Sequence, residues 1–250
     1  MNEERMELSE SKIRVLNRDV IKYIAMLTMF LNHFSHVFLE RGTLLQEICE
    51  DLGYFTAITM CYFLVEGYEY TRSKKKYAIR LLIFAIISQI PFKLAFDFGN
   101  FNMLFTLFFC FLILVAMEKI QNKVLQTIVV VLLVLVTAFC DWPFMAAVFT
   151  ILFANNKDSH KKMIVSYIFA FVFFTFFNTT NYIFRPELST AEAILHGAIS
   201  AIPLLVSGFV ILFMYNGKRA EWGRNFSKWF FYAFYPGHLL VLWLIKNFMM

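Results

Sequence analysis

Charge is scarce in this chain: Asp, Glu, Lys and Arg make up 16% of its 250 residues, against about 25% in soluble domains. Glycine (nine) and proline (five) are also few, which excludes collagen-like, linker-dominated and low-complexity chains. The four cysteines, Cys49, Cys61, Cys110 and Cys140, form no CxxC pair and have no His at ligand spacing. Neither a disulfide framework nor a zinc site is indicated, and packed thiols are expected. No GxSxG, Walker A, HExxH or Gly-rich phosphate loop occurs, so the common hydrolase, nucleotidase and metalloprotease readings lack their residues. Internal repeats are missing as well, which removes the signature of an inverted-repeat transporter.

What the chain has instead is apolar surface. It is 60% hydrophobic, holds 32 Phe and has a mean hydropathy of +0.63, a composition that belongs to membrane proteins. A crossing helix needs about 20 mainly apolar residues. Nine segments qualify as candidates: 19–39, 52–68, 77–96, 101–117, 124–140, 142–154, 163–182, 192–215 and 229–248. The expected fold is therefore an all-α polytopic bundle of about nine transmembrane helices. The gaps between segments are too short for a soluble domain, so residues 1–250 read as one transmembrane domain opened by a polar segment, 1–18. The first apolar segment is long enough to span, so no cleavable signal sequence is expected.

Basic residues set the orientation. With the N-terminus inside, 19 of the 23 Lys and Arg fall on the cytoplasmic side, leaving only Arg41, Lys93, Arg185 and Lys246 opposite. Such a bias places the N-terminus in the cytoplasm and the C-terminus outside. It also predicts that 142–154, short and opened by Trp142-Pro143, crosses fully, because a re-entrant loop would break the later alternation. The net charge of +5 thus reports topology, and no nucleic-acid partner is expected.

Ionisable groups inside spans are costly and mark candidate sites. They are His33 and His36 in "LNHFSHVF", Glu66, His196 and His238, with Asp97 and Asp141 at outer ends and Asp19 at the inner start. His33 lies about 21 Å into the first span at ~1.5 Å per residue, past the midplane. A buried imidazole there can take and return a proton near neutral pH, which makes His33 a candidate catalytic base. His36 shares its face at i+3, but two His fall short of the three or four ligands a metal centre uses, and no metal is expected. His36 and His196 read as interface or structural residues. His238 follows Tyr235-Pro236-Gly237, where a bend suits either a site or a plain kink. Glu66 has Arg72 and Arg80 in plausible reach for an ion pair. On these grounds group transfer across the membrane, small-solute transport and a non-catalytic envelope-complex subunit all remain open.

Four stretches together resemble the TraX family of membrane proteins. They are "DVIKYIAMLTMFLNHFSHVF" (19–38), "FLVEGYEYTRSKKKYAIRLLIFAIISQIPFKLAF" (63–96), "NMLFTL" (102–107) and "LFMYNGKRAEWGRNFSKWFFYAFYPGHLLVLWLI" (212–245). The founding member of that family is linked to N-terminal acetylation of pilin, and the family is related to transmembrane acyltransferases. The resemblance implies an acyltransferase of the bacterial cytoplasmic (inner) membrane, with acetyl-CoA as cytoplasmic acyl donor. The acceptor would be a hydroxyl or amine on a pilin N-terminus, a glycan or a lipid-linked molecule, with membrane lipids as surroundings. His33 would be the base, Asn32 (at a place where the family suggests Asp) would orient it, and His238 and Glu66 would line the cavity. Arg72, Lys76, Arg80 and Lys218 would meet the acyl-CoA phosphates. "DWP" at 141–143 departs from the DYG-like sequence the resemblance suggests.

Overall fold

The computed structural model describes residues 13–96, 99–185 and 188–248, and among them nine α-helices and no strands. They are α1 (Arg18–Phe38), α2 (Leu44–Tyr70), α3 (Lys74–Ala95), α4 (Met103–Lys119), α5 (Lys123–Val136), α6 (Met145–Asn156), α7 (His160–Tyr182), α8 (Thr190–Phe209) and α9 (Arg224–Phe248). Each falls on one of the nine apolar segments. Asp97 lies outside the described residues, as does most of the polar N-terminal segment.

Short polar residues open six of the helices. Asn17, Ser73, Asn102, Asn122, Ser159 and Ser189 each accept a backbone N–H of the following first turn, and Ser189 completes a capping box with Glu192. α6 is entered differently. Its entry turn holds both Trp142 (φ 58°) and Phe144 (φ 61°) in the left-handed region, either side of Pro143. Such backbone is unfavourable for bulky side chains and is held here by its surroundings. Thr106 Oγ1 donates to the Asp141 carbonyl at 2.6 Å, and Thr137 Oγ1 accepts the Phe144 N–H at 3.2 Å.

Contacts between helix ends sort them into two layers. At one end Leu16 pairs with Met214 and Asn216, Arg18 with Glu66, Lys74 with Glu118, Glu69 with Lys157, and Gln126 with Met117. At the other, Asn32 meets Glu50, Gln89 meets Asn102, Phe101 meets Cys140, and Arg185 meets Glu47. α1 to α8 therefore each run from one end to the other, α6 included, since it leads from the Asp141 turn to Lys157. The first end carries the basic excess. α2, α3, α7 and α8 with its π-turn extension Val210–Met214 are long and apolar enough to cross a membrane unaided. α6, with 12 residues, covers about 18 Å at ~1.5 Å per residue and is the shortest of the described helices. The chain is an integral all-α membrane bundle.

The main core fills the space between α2, α4, α6, α7 and α8, where Ile58, Phe111, Phe149 and Phe153 are fully enclosed. All four cysteines are buried free thiols. Two close approaches tie α8 to α7: a Cβ on Gly197 would stand 2.9 Å from the Thr175 carbonyl oxygen, and one on Gly208 2.7 Å from the Tyr167 ring. α9 packs outside this core, against α3 and α1. Phe92 and Ala95 of α3 and Phe96 just beyond it, with Tyr235 and Leu239 of α9, form a second, smaller core there.

Candidate active site

The second core encloses the polar pair that the sequence singles out. His33 on α1 and His238 on α9 both start from the basic end and sit about 21–22 Å along their helices at ~1.5 Å per residue, so they meet at one depth. Nδ1 of His33 lies 2.6 Å from Nε2 of His238, and the two side chains are only 7% and 6% exposed. The ring planes are within 1° of parallel with centroids 4.9 Å apart. An N···N contact of 2.6 Å is too short for rings lying face on face, so the rings share one plane and meet edge to edge.

Hydrogen-bond direction then fixes the neutral tautomers. Nδ1 of His238 stands 2.7 Å from the Phe234 carbonyl oxygen, which can only accept. His238 therefore carries its proton on Nδ1 and presents a lone pair on Nε2. His33 must donate its own Nδ1–H to that lone pair, which leaves the free lone pair of His33 on Nε2. That nitrogen has no hydrogen-bond partner among the described residues. Rings complete the enclosure: Phe96 meets His33 edge-on at 5.2 Å, Tyr235 at 6.0 Å, and Phe234 stacks on His238 at 4.7 Å. Tyr235 is itself held by the Met103 N–H at 3.4 Å. The arrangement is an oriented imidazole base in an apolar setting.

Asn32 goes elsewhere. Successive helix positions point about 100° apart, and Asn32 faces α2, donating from Nδ2 to the Glu50 carbonyl at 2.8 Å. Its side chain lies over Gly53, where a Cβ would come within 2.5 Å. It clamps α1 to α2 rather than orienting His33. His36 meets Phe96 edge-on at 6.1 Å, and His196 sits 3.7 Å from Glu47 and stacks on Tyr182.

Glu66 is held far from the histidines. Its Oε2 pairs with Arg18 Nε at 3.2 Å and its Oε1 accepts the Tyr215 hydroxyl at 2.8 Å, at the basic end of the bundle. Arg18 lies about 22 Å from His33 along α1 at ~1.5 Å per residue. The pairing with Arg72 or Arg80 read from the sequence gives way to Arg18, because the start of α1 packs on the end of α2. Arg72, Lys76 and Lys218 are exposed, whereas Arg80 is half-buried with its guanidinium 5.5 Å from the Tyr77 ring and 5.9 Å from the Tyr232 ring. The Lys218 carbonyl accepts the Arg18 N–H at 2.9 Å, and Ala220 N–H reaches Asp19 Oδ2 at 2.7 Å, which fastens the 216–220 loop over α1. Lys22, one turn beyond Arg18, holds its ammonium 5.0 Å from the Phe231 ring and 5.7 Å from the Phe63 ring. Sequence reasoning passed over Lys22, Tyr77 and Tyr232; the signal available for Lys22 was a cation four residues into an apolar span with no acid at i+4.

An open groove of about 500 Å³ runs along the start of α9, lined by Asn225, Phe226, Trp229, Phe230 and Ala233 and by neither histidine.

Comparison with known proteins agrees with the resemblance in the four quoted stretches. A probable fimbrial assembly protein FimC, serogroup H1, of Dichelobacter nodosus is 30% identical over 243 residues, 92% of this chain and 95% of its own length. No solved structure matches the chain. The sequence model of the family described as TraX protein matches residues 17–246, which takes in both histidines, the Asn32 clamp and the basic-end cluster, and the chain belongs to that family.

Proposed function

We propose that the protein is an integral membrane acyltransferase that moves an acyl group, acetyl in the first instance, from acyl-CoA to an acceptor hydroxyl or amine. The observation that carries this reading is the chain Phe234 carbonyl, His238, His33, which leaves a lone pair on His33 Nε2. The acceptor O–H or N–H gives its proton to that nitrogen while its heteroatom bonds to the acyl carbon. The carbon–sulfur bond then breaks, and the proton passes from His33 to the departing thiolate. His238 acts as a positioning residue: it holds the tautomer and ring plane of His33. An oriented base of this kind contributes about 10²–10⁴-fold to rate.

The positive-inside bias puts the basic end in the cytoplasm, where acyl-CoA is made, and leaves His33 nearer the opposite face. The acceptor accordingly enters from outside a bacterial cytoplasmic membrane. The D. nodosus relative is named for fimbrial assembly, which favours a pilin N-terminal amine over a glycan or lipid-linked hydroxyl.

Full-length protein in detergent, given labelled acetyl-CoA and a membrane acceptor pool, should transfer label. His33→Ala should abolish transfer, and His238→Ala should lower kcat with KM for the donor unchanged. Absence of transfer by the wild type to any pool would refute the reading. The same close His–His contact also suits a proton path in a transporter, so proton-coupled uptake into liposomes by the wild type, lost in His33→Ala, would favour that alternative.

A further inference from the structure

The groove along the start of α9 has no part in the histidine site. Asn225, Phe226, Trp229, Phe230 and Ala233 line about 500 Å³ of open space. Their spacing of three and four residues puts them on one stripe of the helix. The opposite stripe, with Ser227, Tyr235, His238 and Leu242, is buried against the bundle. The groove therefore faces away from the protein interior, and Phe226 and Trp229 are 66% and 54% exposed. Behind it, Phe230 meets the Tyr23 ring at 5.9 Å, and the Tyr23 hydroxyl lies 3.1 Å from Ser227 Oγ.

That last contact fixes the depth. Tyr23 is in the second turn of α1, so the groove opens at the basic end of the bundle. From Asn225 to Ala233 it descends about 12 Å at ~1.5 Å per residue. Half of a bilayer's hydrocarbon core is about 15 Å thick, so the groove runs through most of one leaflet. Trp222, 88% exposed just before α9, belongs at the same water–membrane boundary.

An exposed apolar stripe is ordinary on a lipid-facing helix. A concave one with an unpaired cation beside it is not. The Lys228 ammonium lies 5.2 Å from the Trp229 ring and has no acidic partner among the described residues. A Lys stem laid over an apolar ring, with its charge held at headgroup level, suits an anion at the membrane surface. The positive-inside bias puts this end in the cytoplasm, and the cytoplasmic leaflet is the one rich in anionic lipid. A second copy of the chain fits less well. A two-fold contact through this stripe would set the basic ends of both copies side by side.

We propose that the groove is a binding site for an anionic phospholipid. One acyl chain lies along Phe226, Trp229, Phe230 and Ala233, and the headgroup phosphate meets the Lys228 ammonium and the Asn225 amide. The site does not rest on the acyl-transfer reading. Its occupant gives a partner to the outer face of α9, which packs against α3 and α1 outside the main core.

The test reads Trp229 fluorescence in the full chain in phosphatidylcholine nanodiscs, as the difference between the protein and its Trp229→Phe variant. Phosphatidylglycerol brominated on its acyl chains should quench Trp229 about fivefold more effectively than brominated phosphatidylcholine at the same mole fraction, the factor that one Lys supplies toward anionic lipid. Lys228→Gln should bring that ratio close to one, and Lys228→Arg should keep it. Ala233→Leu, which fills the floor of the groove without touching the charge, should weaken quenching by both lipids. Equal quenching of the wild type by the two lipids, or a preference for phosphatidylglycerol that survives Lys228→Gln, overturns the proposal. A disulfide formed between two copies of a Phe226→Cys variant in cell membranes would put a second copy in the groove, and overturns it as well.

Discussion

Gly53→Ala tests the placement of Asn32, on which the separation of clamp from base depends. The added Cβ would stand 2.5 Å from Asn32 Cβ and 2.6 Å from its Cγ and Nδ2. Moving only the amide of Asn32 aside does not relieve this, because the position of its Cβ is fixed by the α1 backbone. α1 and α2 must separate by several tenths of an ångström, an overpacking cost of about 1–3 kcal/mol. The shift also stretches the 2.8 Å bond from Asn32 Nδ2 to the Glu50 carbonyl, whose loss costs about 1 kcal/mol. Against this, Ala is favoured over Gly inside a helix by about 1 kcal/mol. The net expectation is a destabilisation of about 1–3 kcal/mol, or a fall of roughly 2–12 °C in unfolding midpoint for a chain of this size.

Gly237→Ala is the matched control. It lies inside α9 with nothing within 4 Å of the added carbon, so only the propensity gain of about 1 kcal/mol remains and the midpoint should rise by about 2–4 °C. Both midpoints can be read by size-exclusion chromatography after heating in detergent. Asn32→Ala placed on Gly53→Ala should rescue little, since the Cβ–Cβ clash persists. A Gly53→Ala protein as stable as the wild type would mean that α1 and α2 do not meet at this point, and the clamp would be withdrawn.

Asn32→Asp sets a carboxylate against the Glu50 carbonyl in place of a donor, so stability should fall by at least about 2 kcal/mol; an Asp variant of unchanged stability and higher transfer activity would show that position 32 serves His33 after all. Glu66→Met leaves the 8%-exposed Arg18 without its carboxylate and should cost about 3–5 kcal/mol, while Arg18→Met with Glu66→Met should recover most of it; equal stability of the single and double variants would contradict the pairing. Gly197→Ala meets backbone of α7, the Thr175 carbonyl at 2.9 Å and the Thr179 nitrogen at 3.0 Å, and should lower the midpoint more than Gly53→Ala does. Nitrogen-15 spectra of histidine-labelled protein should show both His33 and His238 protonated on Nδ1; a His33 signal protonated on Nε2 would reverse the proposed direction of the chain.

The helices were legible because span length and apolar runs are local properties, and the caps at Asn17, Ser73, Asn102, Asn122, Ser159 and Ser189 follow from short polar side chains that satisfy first-turn N–H groups. Boundaries slipped where charge interrupts a helix. α2 begins at Leu44 and not near 52, because Glu47 is paired with Arg185 and Gln46 donates to Glu50, so those carboxylates ride on the helix rather than end it. α9 begins at Arg224 for a similar reason: the polar positions of its first turns lie at the basic end. The site was half legible. His33 and His238 stood out as buried ionisable groups, but nothing local says that residues 205 apart in sequence meet. The pairing of Glu66 with Arg18 and the turn of Asn32 toward Gly53 depend on which helices pack together. Adjacency in sequence misled for Asn32, since neighbours on a helix face different partners.

The two polar clusters lie along one seam. α1 supplies Lys22 and His33, α9 supplies Tyr232 and His238, and both helices leave the basic end together. Between the clusters the seam is apolar, with Ala25 and Met26 buried on α1 and Tyr235 on α9. Of the two helices, α9 carries the interruptions. It packs outside the main core, Pro236 provides no N–H for the Tyr232 carbonyl, and Gly237 next to it weakens the helix further. The same two residues sit immediately before His238, so opening of α9 at this point moves His238 away from His33. The bond that sets the tautomer of His33 therefore depends on how α9 packs.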